Sequence, residues 1–329
     1  MTPPPSHPST RERTVAVNDV DLHVVEAGEG PVVILAHGFP ELSYSWRHQI
    51  PALADAGYHV ISPDMRGYGR SSQPTEITDY DIEHLTADLI GLLDDAGQQR
   101  AVFVGHDWGS MVVGSLARMY PDRVAGVVPM SVPILPRGPI PFTQLVNMAF
   151  ADTFFYMAYF QEQGVADADL AADPATTMRR MLAGLTVPDG ETLDASGLSA
   201  KDGRGFVDRL PEPKGLPAWL SQAELDHYTS EFTRTGFTGG INWYRNLDRN
   251  WELTPSFDTA KIAAPSLFIG GALDPVLLMT PVGIQDDVVT DHRGNVIVDG
   301  AGHWVQQEAP DEVNHTLLTF LKSIDLGGR

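Results

Sequence analysis

Cysteine is absent from this sequence of 329 residues. Its absence removes disulfides, thiolate nucleophiles and cysteine-ligated metals together, and is compatible with a cytoplasmic protein. Positive charge is scarce: 22 Lys and Arg stand against 43 Asp and Glu, a net charge of −21. Such a field repels nucleic acid, anionic membrane and acidic substrates alike, so a neutral or apolar small molecule is the expected partner. No uninterrupted apolar run reaches the length that spans a bilayer. The first dozen residues hold Pro3, Pro4, Pro5 and Pro8 and lack the apolar core of a secretion signal, so residues 1–12 are expected to form a disordered tail. The composition leaves a homodimer open.

What is present is an ordinary globular balance, with 43% hydrophobic and 20% charged residues in a chain long enough for a substantial core. Residues 14–17 and 20–25 read as two strands joined by a tight Asn18-Asp19 turn. Apolar runs at 31–36, 58–62, 102–104 and 124–130 read as further strands. Between them, Ile82, Leu85, Leu89, Leu92 and Leu93 fall on one helical face that Gly97 closes. Strands alternating with helices at this spacing predict an α/β fold with a mostly parallel sheet flanked by helices. The glycine-rich loop at 64–71 lacks the Gly-Lys-Ser/Thr of a phosphate cradle, and no His-Glu-x-x-His spacing occurs. Neither a cofactor nor a metal is therefore expected.

After Pro133 the texture changes. Pro136, Pro139 and Pro141 break any strand, and the stretch to about Trp251 is helical and aromatic, interrupted by a Gly-, Pro- and Asp-rich loop near 186–217. An inserted helical cap over 136–252 is predicted, dividing an α/β core of residues 13–135 and 253–329. The alternation resumes with strands at 264–270 and 295–299. Pro310 opens a closing helix, with Val313, Leu317, Phe320, Leu321 and Ile324 on one face.

The chemistry centres on Val102-Phe103-Val104-Gly105-His106-Asp107-Trp108-Gly109-Ser110. A buried strand runs into a helix through a turn with Gly105 and Gly109 two residues either side of Asp107. This is the layout of a nucleophile elbow, carrying Asp where Gly-x-Ser-x-Gly enzymes carry Ser. The turn is strained, and a side chain at either flank would collide with it. The amides of the helix that follows favour the ionised Asp. An Asp that merely caps the helix would read the same from these residues alone. Two later strands end in loops carrying Asp274 and His303, so nucleophile, acid and histidine arrive in order at strand ends, where active sites of such sheets gather.

With these residues the sequence resembles the soluble epoxide hydrolases of the α/β-hydrolase superfamily, from about Val15 to the last helix. The resemblance rests on His37-Gly38-Phe39-Pro40, Gly105-His106-Asp107-Trp108-Gly109, Tyr159-Phe160-Gln161-Glu162, Asn242-Trp243-Tyr244-Arg245 and Gly302-His303-Trp304. It implies an α/β-hydrolase fold with a helical cap, a small apolar epoxide and water as reactants, and Tyr159 and Tyr244 as phenols that bind and protonate the epoxide oxygen. It also implies that the backbone N–H groups of Phe39 and Trp108 form an oxyanion hole. Asp107, already charged at neutral pH, can attack an sp³ carbon directly. His303, oriented by Asp274, would then activate water against the resulting ester. Tyr156, Tyr228 and Trp219 read as packing, His37 as shaping the turn before Phe39, and His106 as packing beside the elbow. A haloalkane or haloacid dehalogenase would share Asp107 and His303 but stabilise its halide with N–H donors. A silent small-molecule receptor on the same fold would need no triad.

Overall fold

The structure is a computed structural model that describes residues 10–186 and 199–326. Residues 1–9 of the expected tail and 187–198 of the expected cap loop lie outside the described residues. Residues 11 and 12 of that tail belong to the first strand instead, because Arg11 and Glu12 pair with Glu26 and Val25. That strand, β1 (Arg11–Val17), turns at Asn18 and Asp19 into β2 (Val20–Ala27). Both turn residues have positive φ, 44° and 63°, the backbone of a two-residue hairpin whose twist matches its strands.

Six more strands follow: β3 (Val32–Ala36), β4 (His59–Pro63), β5 (Ala101–His106), β6 (Val124–Met130), β7 (Ser266–Gly271) and β8 (His292–Val298). They form one eight-stranded sheet in the order β1-β2-β4-β3-β5-β6-β7-β8. The two pairings made by β2 are antiparallel and the rest parallel. Successive residues of a strand point to opposite faces, and the core divides accordingly. Ile34, Ala36 and Phe103 pack on one side with Leu85, Leu89, Val112 and Leu116 from helices α2 (Ile82–Asp95) and α3 (Trp108–Met119). Val33, Leu35, Val102 and Val104 pack on the other with Leu53, Val313 and Leu317. The predicted α/β layering is what these alternating burials build.

The cap lies between β6 and β7. Its helices include α5 (Tyr156–Tyr159), α8 (Gln222–Thr235) and α9 (Thr238–Arg245), where α8 is preceded in chain order by α1 (Gln49–Asp55), α4 (Phe142–Ala149), α6 (Val165–Ala171) and α7 (Pro174–Leu182). Phe160, Leu170, Tyr228 and Trp243 join the apolar cluster that runs down into the α2–α3 face of the sheet, so cap and core share one interior. Polar latches reinforce the seam: Trp243 Nε1 donates to the Arg66 carbonyl at 3.1 Å and Asn246 Nδ2 to the Ile77 carbonyl at 2.6 Å. No described helix is long and apolar enough to cross a membrane.

Glycine sets how deeply α9 sits. A Cβ on Gly239 would lie 2.2 Å from the Gly67 carbonyl oxygen, and one on Gly240 would lie 2.6 Å from both the Phe39 ring and the Tyr68 hydroxyl. Gly67 itself has φ +90°, so the contact is backbone against backbone. Forcing a methyl into such a contact costs about 1–3 kcal/mol. Gly239→Ala is expected to lower stability by about that amount in urea unfolding, and to slow turnover by lifting α9 from the core. An unchanged midpoint would show that the seam can give.

Candidate active site

Five neighbouring strands deliver the site in a row. Following the sheet order β3-β5-β6-β7-β8, the loops beyond their carboxyl ends carry Phe39, Asp107, Ser131, Asp274 and His303. Asp107 sits at the junction of β5 and α3 with φ 53° and ψ −117°, a conformation that non-glycine residues avoid. The flanking glycines make the turn possible. A Cβ at Gly105 would lie 2.2 Å from the Gly109 carbonyl oxygen, and one at Gly109 would lie 2.1 Å from that of Ala36.

The helix-cap alternative does not hold, since the Asp107 side chain makes no N-cap hydrogen bond to α3 beyond Trp108. Its Oδ1 accepts the Phe39 N–H at 2.9 Å, and the Trp108 N–H also bonds the carboxylate. Both N–H groups named for the oxyanion hole thus bond the Asp107 carboxylate. Burial raises the Asp107 carboxyl above its ordinary pKa, with the positive charge of His303 and the two N–H donors opposing. Oδ2 faces His303 Nε2 at 3.7 Å, and the other ring nitrogen of His303 lies 3.1 Å from Asp274 Oδ1. Burial pulls the His303 pKa down, but the charge and hydrogen bond of Asp274, with the charges of Asp107 and Glu41, outweigh it and lift the value to about 9. The two carboxylates thus favour the protonated form of the ring between them.

Tyr244, on α9, takes its expected position. Its ring stands edge-on to Trp108 at 5.0 Å and to Phe39 at 5.5 Å between centroids. Its hydroxyl is hydrogen-bonded by the Trp108 indole, and burial, then the neighbouring Tyr156 and the charge of Asp107, hold its pKa well above the usual phenol. Tyr159 does not join it. The Tyr159 hydroxyl donates to Asp169 Oδ2 at 3.2 Å, and burial followed by that carboxylate raises its pKa to about 12. Tyr156 stands in the expected place of Tyr159: its ring packs 5.9 Å from that of Tyr244, its hydroxyl is bonded by Tyr244, and burial and then the charge of Asp107 raise its pKa. The cause is helical phase. Phe160 is fully buried, and Tyr156, four residues earlier, shares its face, whereas Tyr159 is rotated by about 100°. The sequence shows the four-residue spacing but not which aromatic is buried.

His106 does more than pack. Its Nδ1 bonds Glu41 Oε2 at 2.6 Å, and its Nε2 lies 2.7 Å from the His303 carbonyl. Glu41 is wholly buried and also accepts the Gly38 N–H at 2.9 Å. Burial pushes its carboxyl pKa up, yet His106 beside it pulls the value down to about 2. The pair ties the oxyanion turn to the histidine loop. His37 shapes its turn as expected, with Nδ1 bonded to the Gly38 carbonyl and Nε2 accepting from Met65 N, both at 2.9 Å. Tyr228 bonds Ser45 at 2.8 Å, away from Asp107. No group of His, Asp and Glu among the described residues could hold a metal ion.

An Asp elbow, an acid–histidine pair in that chain order and a mostly parallel sheet define an α/β-hydrolase. Comparison with known proteins agrees. The family model described as alpha/beta hydrolase fold matches residues 31–310. Epoxide hydrolase A of Mycobacterium tuberculosis is 60% identical over 96% of this chain and 98% of its own. Epoxide hydrolase 1 of Siraitia grosvenorii is 38% identical over 94% and 97%. The crystal structure of epoxide hydrolase A from Mycobacterium thermoresistibile superimposes with a TM-score of 0.92 at 56% identity, covering 96% of this chain and 99% of that one. The chain belongs to the epoxide hydrolases of the alpha/beta hydrolase fold family.

The raised pKa has a thermodynamic consequence. An unfolded histidine titrates near about 6.5, and the folded value of His303 is about 9, so the fold binds that proton more tightly. Its contribution to stability is complete below about pH 6.5 and is lost as pH rises through about 9. Melting temperatures recorded across this window should fall more steeply for the wild type than for His303→Gln. Parallel curves would remove the raised pKa.

Proposed function

We propose that the protein opens small apolar epoxides with water to vicinal diols through an ester on Asp107. The arrangement that carries this reading is a nucleophilic carboxylate with two phenols in its field and a histidine–carboxylate pair behind it. Oδ1 is occupied by the Phe39 N–H, which leaves Oδ2 to attack an epoxide carbon. The C–O bond breaks, and Tyr156 with Tyr244 donates to the oxygen that is released. Both phenols remain protonated donors because burial and the charge of Asp107 raise their pKa.

Esterification removes the negative charge of Asp107, one of the influences that hold the proton on His303. The balance then moves toward the neutral ring, and the departing proton restores the phenolate to a phenol. Neutral His303, steadied by Asp274, takes a proton from water as its oxygen adds to Cγ of Asp107. The oxyanion forms on Oδ1, which the Phe39 N–H already meets, beside the Trp108 N–H that bonds the same carboxylate; loss of one such donor typically costs about 10²–10³ in rate. Collapse breaks the Cγ–Oδ2 bond and the leaving oxygen takes the proton of the added hydroxyl, so the diol departs with the original Oδ2, the carboxylate keeps the oxygen from water, and His303 is left protonated. The dehalogenase alternative would call on the Trp108 indole as halide donor, but here that N–H is engaged by Tyr244.

A single turnover with excess enzyme and styrene oxide in ¹⁸O-water tests the route. The first diol should be unlabelled and Asp107 labelled; solvent label in that diol would rule out the ester. Separately, Tyr156→Phe is expected to slow ring opening by about 10²–10³-fold, and Tyr159→Phe to leave it within a factor of a few. The reverse ranking would return the proton-donor role to Tyr159.

A further inference from the structure

We infer that Glu308 is a positioning residue for the second half of the reaction: its carboxylate fixes the backbone on both sides of His303 and holds the imidazole where it can activate water at the ester. The inference rests on the covalent route proposed above. Glu308 closes the short helix Val305–Glu308 that follows the histidine loop. Its Oε2 accepts the Gly302 N–H and its Oε1 the Trp304 N–H, each at 2.9 Å, so a single carboxylate straddles His303. From the opposite side, Ser131 Oγ donates to the His303 carbonyl at 2.7 Å, and His106 Nε2 lies at the same distance. The peptide joining His303 to Trp304 is thereby bonded at both its C=O and its N–H. Its plane sets the direction in which the imidazole leaves the chain.

The neighbouring residues fit this role. A Cβ at Gly302 would lie 3.2 Å from Glu308 Oε1, so glycine at that position lets the carboxylate close on the loop. Two converging N–H donors require two acceptors on one side chain. An amide of the same shape offers one acceptor and turns its NH₂ toward the second N–H.

The two half-reactions ask different things of His303. Ring opening is carried by Asp107 Oδ2 and the cap phenols, which a small shift of the His303 ring leaves in place. Water activation needs a nitrogen aligned on a water that faces the ester carbon, and an error of about an ångström costs on the order of 10²-fold. Glu308 therefore acts on ester hydrolysis and not on ester formation.

Rapid-quench kinetics with styrene oxide and excess enzyme, reading protein-bound mass, separates the two steps. Glu308→Gln is expected to hydrolyse the ester about 10–100-fold more slowly while forming it near the wild-type rate, so that alkyl-enzyme accumulates. Glu308→Asp keeps both acceptors on a shorter stem and should fall between the two, which keeps the test open if the Gln variant does not fold. Equal slowing of both steps, or no accumulation in either folded variant, overturns the inference. Loss of folding in both variants would assign the carboxylate to stability alone and also overturn it. A wild-type enzyme that forms no ester would be a separate result, overturning the covalent route and this inference with it.

Discussion

A negative charge withdrawn from water is the constraint around which this protein is arranged. Burying an ionised carboxylate without partners costs far more than a marginally stable fold can bear, and Asp107 must nevertheless stay reactive toward carbon. The fold resolves the conflict by giving the two oxygens different partners. Oδ1 is met by the Phe39 N–H, while Oδ2 faces His303 Nε2 at 3.7 Å, close enough for attraction and too far for a hydrogen bond. On the proposed route this leaves Oδ2 as the nucleophile. Sheet order makes this division possible, because β3 and β5 are neighbours at one end of the row and β7 and β8 at the other.

On the proposed route the two chemical steps are distributed between the two parts of the molecule. Ring opening would draw its acid from the cap, through Tyr156 and Tyr244, and ester hydrolysis its base and oxyanion donors from the loops of the sheet. Asp107 is the element they share. Errors in cap docking and errors in the histidine loop therefore act on different rate constants, although both reach the same carboxylate. The Glu41–His106 pair spans the core half, bonding the Gly38 N–H at one end and the His303 carbonyl at the other.

How much of this was legible in the chain depends on how local the cause is. The elbow could be read because its geometry is imposed within five residues: Gly105 and Gly109 exist to relieve contacts of 2.2 and 2.1 Å, and sequence carries that reason directly. Asp274 and His303 were found because strand ends alternate along the chain as they do in the sheet. The cap was harder. Tyr159 and Tyr156 lie on one short helix, both aromatic, and only the burial of Phe160 decides which of them faces Asp107. Glu41, Ser131 and Glu308 gave no pattern at all. Their roles arise from contacts such as the 2.7 Å bond from Ser131 to the His303 carbonyl, 172 residues apart, and from the left-handed φ of 64° at Ser131.

Trp108 touches both halves at once. Its backbone N–H bonds the Asp107 carboxylate, and its indole bonds the Tyr244 hydroxyl. On the proposed route the span between the nucleophile and one of the acids is therefore set by a single residue, independent of how firmly the cap rests on the sheet elsewhere. A larger cavity gained by moving the cap outward would break that measure. Adaptation to bulkier epoxides in this framework should accordingly run through the side chains along the rim, with the height of the roof left constant.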